Sequence, residues 1–212
     1  MINTIIFDFG GIFVDLNPEV SESAFQKLGL NDWNDELKNQ NALFEIGKIS
    51  ELQYLESFQK YIPNADLLEI RAAWNSLIGN FPLKRLEFLQ MLARKYKLIL
   101  LSNTDAIHIS HFEHKVGMSF ASDFYQCFEK VYFSYELGLR KPDEAIFTRI
   151  IKNHNLSEKR TLFVDDKKEN TDAALKLGLH VWNLQVGQED VMDLFAAATP
   201  KVGESFKTQN LF

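Results

Sequence analysis

Acidic, hydroxyl and amine side chains occur in this chain at the ends of short apolar runs. Asp8 follows the run at residues 5–7, and a carboxylate there is costly to bury unless a cation or hydrogen-bond donors meet it. Ser102 and the pair Asp165-Asp166 end two other apolar runs, and Lys141 lies in a loop. These groups suit metal-assisted phosphoryl transfer, because Mg²⁺ prefers oxygen ligands and an amine and a hydroxyl can hold phosphate oxygens.

One carboxylate of such a site, placed in line with a phosphoryl group, can attack phosphorus and form an acyl phosphate. The backbone N–H groups of Phe9, Gly10 and Gly11 directly follow Asp8. Successive N–H groups of this kind can form a nest for the phosphate anion. Taken alone, the segment also allows a simpler interpretation, in which Asp8 only caps the turn that follows the strand.

The apolar runs predict the elements that bring these groups together. Five short segments are typical of buried strands, and helical patterns separate most of them. This alternation implies a three-layer, Rossmann-like parallel sheet with right-handed crossovers. Ligands bind such sheets at the carboxyl ends of the strands, so we expect the candidate residues to meet at one edge. The predicted strands are residues 5–8, 97–102, 131–134, 161–166 and 180–184.

The stretch between the first and second predicted strands has a different character. Ser50 with Gln53 forms a capping-box pattern, and Asn64 is expected to cap a later helix. About sixty residues here carry helical signals only, which predicts a helical bundle inserted after the first strand. We therefore expect an α/β core domain from residues 1–16 and 82–212 and a helical cap domain from residues 17–81.

Composition limits the partners and the compartment. The 212 residues are 46% hydrophobic, which is enough for a sizeable core, and the net charge of −6 disfavours nucleic acid as a partner. The apolar stretches are too short to cross a bilayer, and the N-terminus lacks a signal-peptide pattern. Cys127 is the single cysteine. We expect a soluble, cytoplasmic monomer or homodimer that acts on a small phosphorylated metabolite and has no membrane partner.

The motifs and their order resemble those of the haloacid dehalogenase superfamily of hydrolases with a helical cap. Residues 8–12 are similar to its first motif, residues 100–103 to its second, and Lys141-Pro142 to its third. Residues 164–166, together with Asn170, are similar to the fourth. The resemblance covers nearly the whole chain apart from the C-terminal tail.

This resemblance implies a Mg²⁺-dependent phosphatase that works through an aspartyl phosphate. Asp8 is then the nucleophile and Lys141 the second catalytic residue. Asp165 either binds the metal through water or orients the site. The implied metal ligands are Asp8, the Gly10 carbonyl, Asp165 and Asp166. The implied phosphate-binding residues are Phe9, Gly10, Gly11, Ser102, Asn103 and Lys141.

Gly10 departs from the pattern of most phosphatases in this superfamily, which carry a second Asp at that position. That Asp protonates the leaving oxygen, and such help is worth about 10²–10⁴-fold, so its loss should slow the reaction without necessarily abolishing it. Residues 44–50 and 14–16 are also similar to the branch of sugar-phosphate phosphatases that act on glucose 1-phosphate, which shows Gly here too. A sugar phosphate is therefore a candidate substrate.

Gly10 also leaves other functions open. One is a phospholigand-binding protein that kept the metal site and lost turnover. Dehalogenases and phosphonatases of the superfamily lack the second Asp as well, but dehalogenases need no metal, and Asp165-Asp166 argues against them. A phosphonatase needs a buried cap lysine, which no pattern here marks. The evenly spaced His108, His111 and His114 are expected on an exposed polar helix and not in a metal cluster.

Overall fold

The computed structural model describes residues 1–195, which form a parallel five-stranded sheet. The strands are β1 (Thr4–Phe7), β2 (Lys97–Ser102), β3 (Lys130–Phe133), β4 (Thr161–Asp165) and β5 (His180–Asn183). Their order is β3-β2-β1-β4-β5, so β1 is central. The predicted α/β fold with a parallel sheet is confirmed.

Helices occupy the connections between the strands. Four of them follow β1: α1 (Pro18–Lys27), α2 (Asp35–Glu45), α3 (Glu51–Gln59) and α4 (Leu67–Asn75). The others are α5 (Leu83–Ala93), α6 (Ala106–Val116), α7 (Met118–Tyr125), α8 (Ser134–Leu137), α9 (Glu144–His154) and α10 (Lys168–Lys176).

The two faces of the sheet bury separate apolar layers, because successive side chains of a strand point to opposite faces. Ile5 and Phe7 of β1 pack in one layer with residues of α5, α6 and α7. Ile6 packs in the other with residues of α9 and α10. The sheet is therefore covered on both sides, as its nearly continuous apolar strands require.

The register of β1 places the acids that follow it. Phe7 pairs with Leu100 of β2 on one side and with Val164 of β4 on the other. Asp8 therefore leaves the sheet beside Asp165, and its N–H donates to the carbonyl of Val164 at 2.9 Å. The central position of β1 brings the polar ends of three neighbouring strands to one edge.

Helices α1–α4, with Ile107 of α6, bury a further cluster that is rich in aromatic rings. Phe44 stacks on Tyr54 with ring centroids 4.4 Å apart, and Phe25 stacks on Phe58 at 4.9 Å. Tyr54 and Phe58 are fully buried. Such rings contribute much of the apolar area that a small bundle buries.

The capping box predicted at Ser50 and Gln53 is present at the start of α3. The prediction that Asn64 caps the next helix is wrong. Asp66 is the N-cap of α4, where it accepts a hydrogen bond from the Glu69 N–H while the Glu69 side chain accepts one from the Asp66 N–H. Asn64 has Leu67 three residues later, and an apolar side chain cannot complete such a box.

Two further predictions differ from the structure. The stretch after residue 103, where the sequence predicts only a polar helix around residues 108–114, contains α6 and α7. The sequence of residues 191–198 predicts an α-helix, but the structure has a short 3₁₀-helix at Val191–Phe195. Its remainder and the polar tail lie outside the described residues.

The two segments that connect β1 to α1 and α4 to α5 run side by side. The N–H of Asp15 donates to Asn80, the N–H of Gly79 donates to Asp15, and Leu16 bridges Ile78 in antiparallel fashion. A Cβ on Gly79 would lie 2.5 Å from the Asp15 carbonyl oxygen, so this close approach requires glycine. Helices α1–α4, here called the four-helix layer, are therefore joined to the sheet by two chain segments that are hydrogen-bonded to each other. We call this pair of segments the double crossing.

Within residues 1–195, every helix is too short or too polar to cross a membrane.

Candidate active site

Three carboxylates meet at the carboxyl edge of the sheet. Asp8 follows β1, Asp165 ends β4, and Asp166 comes next in the chain. Each offers an oxygen, and these oxygens lie within 4.8 Å of one another. Carboxylates this close repel one another unless a cation joins them. The structure thus brings together the acids that the sequence places at separate strand ends.

Lys141 is a cation that meets two of these acids. Its Nζ donates to Asp8 Oδ1 at 2.7 Å, to Asp165 Oδ2 at 2.6 Å and to the Leu101 carbonyl at 2.8 Å. These bonds use all three ammonium protons. Burial opposes the charge, but Asp165 and Asp8 outweigh burial and raise the pKa of Lys141. The ammonium is therefore a fixed positive charge beside Asp8.

The acids hold more negative charge than one lysine offsets. Burial raises the pKa of Asp8 to about 7, Lys141 works against this rise, and Asp165 and Asp166 add to it. Burial, with the charge of Asp165, also raises the pKa of Asp166. Both pKa values are therefore raised mainly by burial and further by the neighbouring acids, and a bound cation would oppose both effects.

Asp166 carries the signature of a ligand residue. Its Oδ1 is buried and has no hydrogen-bond partner within residues 1–195. Buried oxygens are normally paired, and an unmet carboxylate oxygen beside two other acids fits a hard divalent cation such as Mg²⁺. The carboxylate oxygens of Asp8, Asp165 and Asp166 therefore fit a magnesium ion.

Asp165 is instead occupied by protein donors. The Asn170 amide donates to both of its oxygens, at 3.0 and 3.1 Å, and the Lys167 N–H donates to Oδ1 at 2.8 Å. Together with the contact to Lys141, these bonds hold a fully buried carboxylate. The arrangement suits a residue that orients the site.

Ser102 and Asn103 follow at the end of β2. Ser102 is buried at the strand end, where its hydroxyl is of the kind that can hold a phosphate oxygen, and this predicted contact stays a prediction. The Asn103 amide, in contrast, binds the backbone of Lys141 with both its donor and its acceptor. Its predicted contact with phosphate stays a prediction, and its side chain positions Lys141.

The nest predicted after Asp8 is smaller than expected. The Gly11 N–H donates to the Val14 carbonyl at 2.8 Å, so it is not offered to an anion in this structure. The N–H groups of Phe9 and Gly10 have no partner within the described chain, and their predicted phosphate contacts stay predictions. Gly11 has φ of +75°, and a Cβ there would lie 2.9 Å from Asp166 Oδ2. This position therefore requires glycine, because any other side chain would collide with the Asp166 carboxylate.

Ser134 is a site-supporting residue that sequence reasoning missed. Its hydroxyl accepts from the Thr104 N–H and donates to the Thr104 carbonyl, both at 3.0 Å. These bonds hold the loop that carries Ser102 and Asn103. The available signal was the position of Ser134 at the end of the β3 run, the same strand-end position that marks Asp8.

The expectation of an exposed helix is wrong for His108, which is 6% exposed. Its Nδ1 lies 3.0 Å from Asp105 Oδ2, and its Nε2 lies 3.0 Å from the Trp74 carbonyl. Both partners are acceptors, so only the doubly protonated ring satisfies both. Burial opposes this charge, yet Asp105 outweighs burial and raises the pKa of His108. The residue joins α6 to the end of α4.

Comparison with known proteins agrees with this geometry. A family model described as haloacid dehalogenase-like hydrolase matches residues 2–178. D-ribitol-5-phosphate phosphatase of Bacteroides thetaiotaomicron is 31% identical over 199 residues, which are 89% of this chain and 95% of that protein. A sesquiterpene phosphatase of Aspergillus oryzae is 29% identical over 180 residues, covering 82% and 85%.

A solved structure with a similar fold comes from the same bacterium. It is an enzyme of the haloacid dehalogenase family, in complex with magnesium and inorganic phosphate. It is 30% identical to this chain, has a TM-score of 0.80, and the match covers 92% of this chain and all of the other.

Proposed function

Because this chain belongs to the haloacid dehalogenase-like hydrolases, we propose that it is a Mg²⁺-dependent phosphatase that hydrolyses a small phosphate monoester through an aspartyl phosphate on Asp8. The observation that carries the proposal is the contact of the Lys141 ammonium with Asp8 and Asp165, beside the unmet oxygen of Asp166. Two phosphatases related to this chain over most of its length support the same reaction class.

The residues divide the reaction between them. A carboxylate oxygen of Asp8 attacks phosphorus and the bond from phosphorus to the leaving oxygen breaks, so that the alcohol leaves and takes up a proton. Lys141 and the Ser102 hydroxyl hold phosphoryl oxygens while charge shifts towards the leaving group. Water then attacks phosphorus, which releases phosphate and restores the carboxylate.

Magnesium fits the oxygens of Asp8, Asp166 and the Gly10 carbonyl, with Asp165 orienting them or acting through water. When bound, it neutralises charge on the transferring phosphoryl group. Gly10 has no side chain that could protonate the leaving oxygen. The proton therefore comes from water or from a group on the side of the cleft that faces the substrate. We therefore expect slow turnover of esters with poor leaving groups.

Residues 17–81 are proposed to act as a cap domain over the sheet edge, with residues 1–16 and 82–212 as the core. The separate aromatic cluster of α1–α4 and the double crossing at Asp15 and Gly79 support this division. A closed cap keeps water from the phosphoryl group during attack. The cytoplasmic location, the monomeric or homodimeric state and the absence of nucleic-acid and membrane partners stay predictions.

Phosphate release from a panel of esters tests the proposed function. The panel holds sugar phosphates, polyol phosphates, a terpenyl phosphate and phenyl phosphate, each with Mg²⁺ and with EDTA. We expect Mg²⁺-dependent release by the natural chain and none by Asp8→Asn, whose fold is checked by circular dichroism. If no ester is hydrolysed while inorganic phosphate still binds tightly, the protein is a phospholigand-binding protein. Halide release from a haloacid would indicate dehalogenase chemistry.

A further inference from the structure

A charged pair joins the four-helix layer to the loop that carries Lys141. Glu45 is the last residue of α2, and Arg140 directly precedes Lys141. Arg140 Nη2 lies 3.1 Å from Glu45 Oε2. A Cβ on nearby Gly47 would lie 2.2 Å from the carbonyl oxygen of Tyr135, so the chain after α2 is pressed against α8. The pair therefore sits where the helical layer meets the phosphate-binding loops.

Both members of this pair have unused hydrogen-bonding capacity. Glu45 Oε2 is close enough to Arg140 for an ion pair but is not aligned for a hydrogen bond. The Nε–H of Arg140 is also buried and has no acceptor within residues 1–195. Buried polar atoms are normally paired. An unmet acceptor next to an unmet donor therefore points to a ligand group that supplies both functions.

Other contacts hold the glutamate in place. The Asn41 amide donates to Glu45 Oε1 at 3.3 Å, and the hydroxyl of buried Tyr54 donates to Asn41 Oδ1 at 3.3 Å. This chain of bonds fixes one oxygen of Glu45, while the other, Oε2, has the ion pair with Arg140 but no hydrogen bond within residues 1–195. Residues held in this way lose little freedom when a ligand binds.

We propose that Glu45 and Arg140 form a hydroxyl-recognition site for the alcohol part of the substrate, which is then a phosphorylated sugar or polyol and not a phosphorylated hydrocarbon. A hydroxyl donates to the carboxylate oxygen and accepts from the guanidinium N–H, so it satisfies both unmet atoms. An apolar chain leaves both unmet, and sites built to bind a hydroxyl discriminate strongly against analogues that lack one. This inference rests on the proposed phosphatase function.

The place of Arg140 in the chain links the two parts of the substrate. Its neighbour Lys141 contacts Asp8, and the Lys141 backbone is bound by Asn103. A single short segment thus carries one group for the phosphate and one for the hydroxyl. The spacing of phosphate and hydroxyl in the substrate would then follow from the backbone that joins Arg140 to Lys141, whose N–H and carbonyl are bound by Asn103.

The ratio of kcat/KM for a pentitol 5-phosphate to kcat/KM for phenyl phosphate tests the site. We expect this ratio to fall about 10–100-fold in Glu45→Ala and in Arg140→Lys, the loss typical of a hydrogen bond to a charged group. Glu45→Gln keeps one acceptor oxygen and should lose less. Arg71→Lys and Glu51→Ala serve as controls, because Arg71 and Glu51 form a 3.0 Å ion pair elsewhere in the helical layer.

The outcomes separate this inference from the proposed function. If the natural chain hydrolyses neither substrate, the phosphatase proposal fails. If it hydrolyses both, and the ratio of the two kcat/KM values is unchanged in folded Glu45→Ala and Arg140→Lys, the recognition site is refuted. The pair then only holds helices α1–α4 against the loop that carries Lys141. Thermal unfolding of each variant identifies any that fails to fold, and Glu45→Gln then supplies the ratio.

Discussion

Asn103 and Lys141 exchange two hydrogen bonds between the loops that follow β2 and α8. The Asn103 side-chain amide donates to the Lys141 carbonyl at 2.8 Å, and the Lys141 N–H donates to Asn103 Oδ1 at 2.9 Å. A side-chain amide offers a donor and an acceptor side by side, which suits this exchange with a backbone N–H and carbonyl. The exchange fixes the Lys141 backbone where its ammonium reaches Asp8, so Asn103 acts as a positioning residue.

Asn103→Ala should therefore lower kcat about 10²-fold, the cost typical of misplacing a catalytic group by about 1 Å. The Mg²⁺ concentration for half-maximal activity should change less than kcat, because Asp165 keeps its hydrogen bonds from Asn170 and from the Lys167 N–H. Steady-state kinetics over a Mg²⁺ series measures both quantities. Asn153→Ala, on the exposed face of α9, is the control. A natural kcat in Asn103→Ala would contradict the positioning role.

Gly10→Asp should raise activity towards esters with poor leaving groups. A Cβ at Gly10 would meet the tip of the Leu16 side chain at 3.1 Å, which a small rotation of that side chain relieves. The new carboxyl group would supply the missing proton donor, so we expect a gain of at least about 10-fold, within the range of general acid catalysis. Gly10→Asn has nearly the same size without the acid.

The measurement for Gly10→Asp is kcat/KM against leaving-group pKa for a series of aryl and alkyl phosphates. The slope should flatten in the Asp variant and stay unchanged in the Asn variant. Equal slopes in all three proteins would mean that another group already delivers the proton.

Asp166→Asn should weaken magnesium binding with little loss of stability. The Oδ1 of Asp166 has no partner among the described residues, so removing its charge breaks no contact there. We expect the loss of Mg²⁺ affinity to exceed the about 10–100-fold that changes around metal ligands typically cause. Calorimetric titration with Mg²⁺ measures the affinity directly. Asp172→Asn is the control, since Asp172 pairs with the exposed Lys168 on α10, away from the metal site. Unchanged affinity in Asp166→Asn would remove Asp166 from the metal site.

The sheet and the meeting of its acids were predictable from the sequence because both depend on local patterns. A buried strand is a short apolar run, and a polar residue at its end stands out, as Asp8 and Asp165 do. Parallel order then follows from the helices between the strands. The sequence predicts only an exposed polar helix around His108, because the spacing of the three histidines hides the apolar face of α6, on which Ile107, Ile109 and Phe112 are buried.

Contacts between distant segments account for most of what sequence reasoning missed. The bond from Asn103 to the Lys141 backbone spans 38 residues, and nothing near Asn103 signals its partner. The pairing of Glu45 with Arg140 is equally hidden, because a charged residue at a helix end is usually solvated. Three histidines at even spacing looked alike in sequence, and only the fold distinguishes His108 from the others.

His108→Gln should destabilise the protein in a pH-dependent manner. The folded-state pKa of His108 lies above its ordinary value of 6.5, since Asp105 outweighs burial, with smaller support from the Trp74 carbonyl and the charge of Glu45. The stabilisation from the charged ring is therefore complete below the unfolded-state pKa. It is lost as pH rises through the folded-state pKa.

We accordingly expect His108→Gln to cost about 3 kcal/mol of unfolding free energy near pH 6, the loss typical of breaking a buried ion pair, and clearly less near pH 9. Urea unfolding at both pH values measures the two differences from the natural chain. His114→Gln is the control, because His114 lies exposed on the same helix and its loss should cost little at either pH. An equal cost of His108→Gln at both pH values would mean that the His108 ring is neutral in the folded protein. The contact of His108 with the Trp74 carbonyl would then not depend on a charged ring.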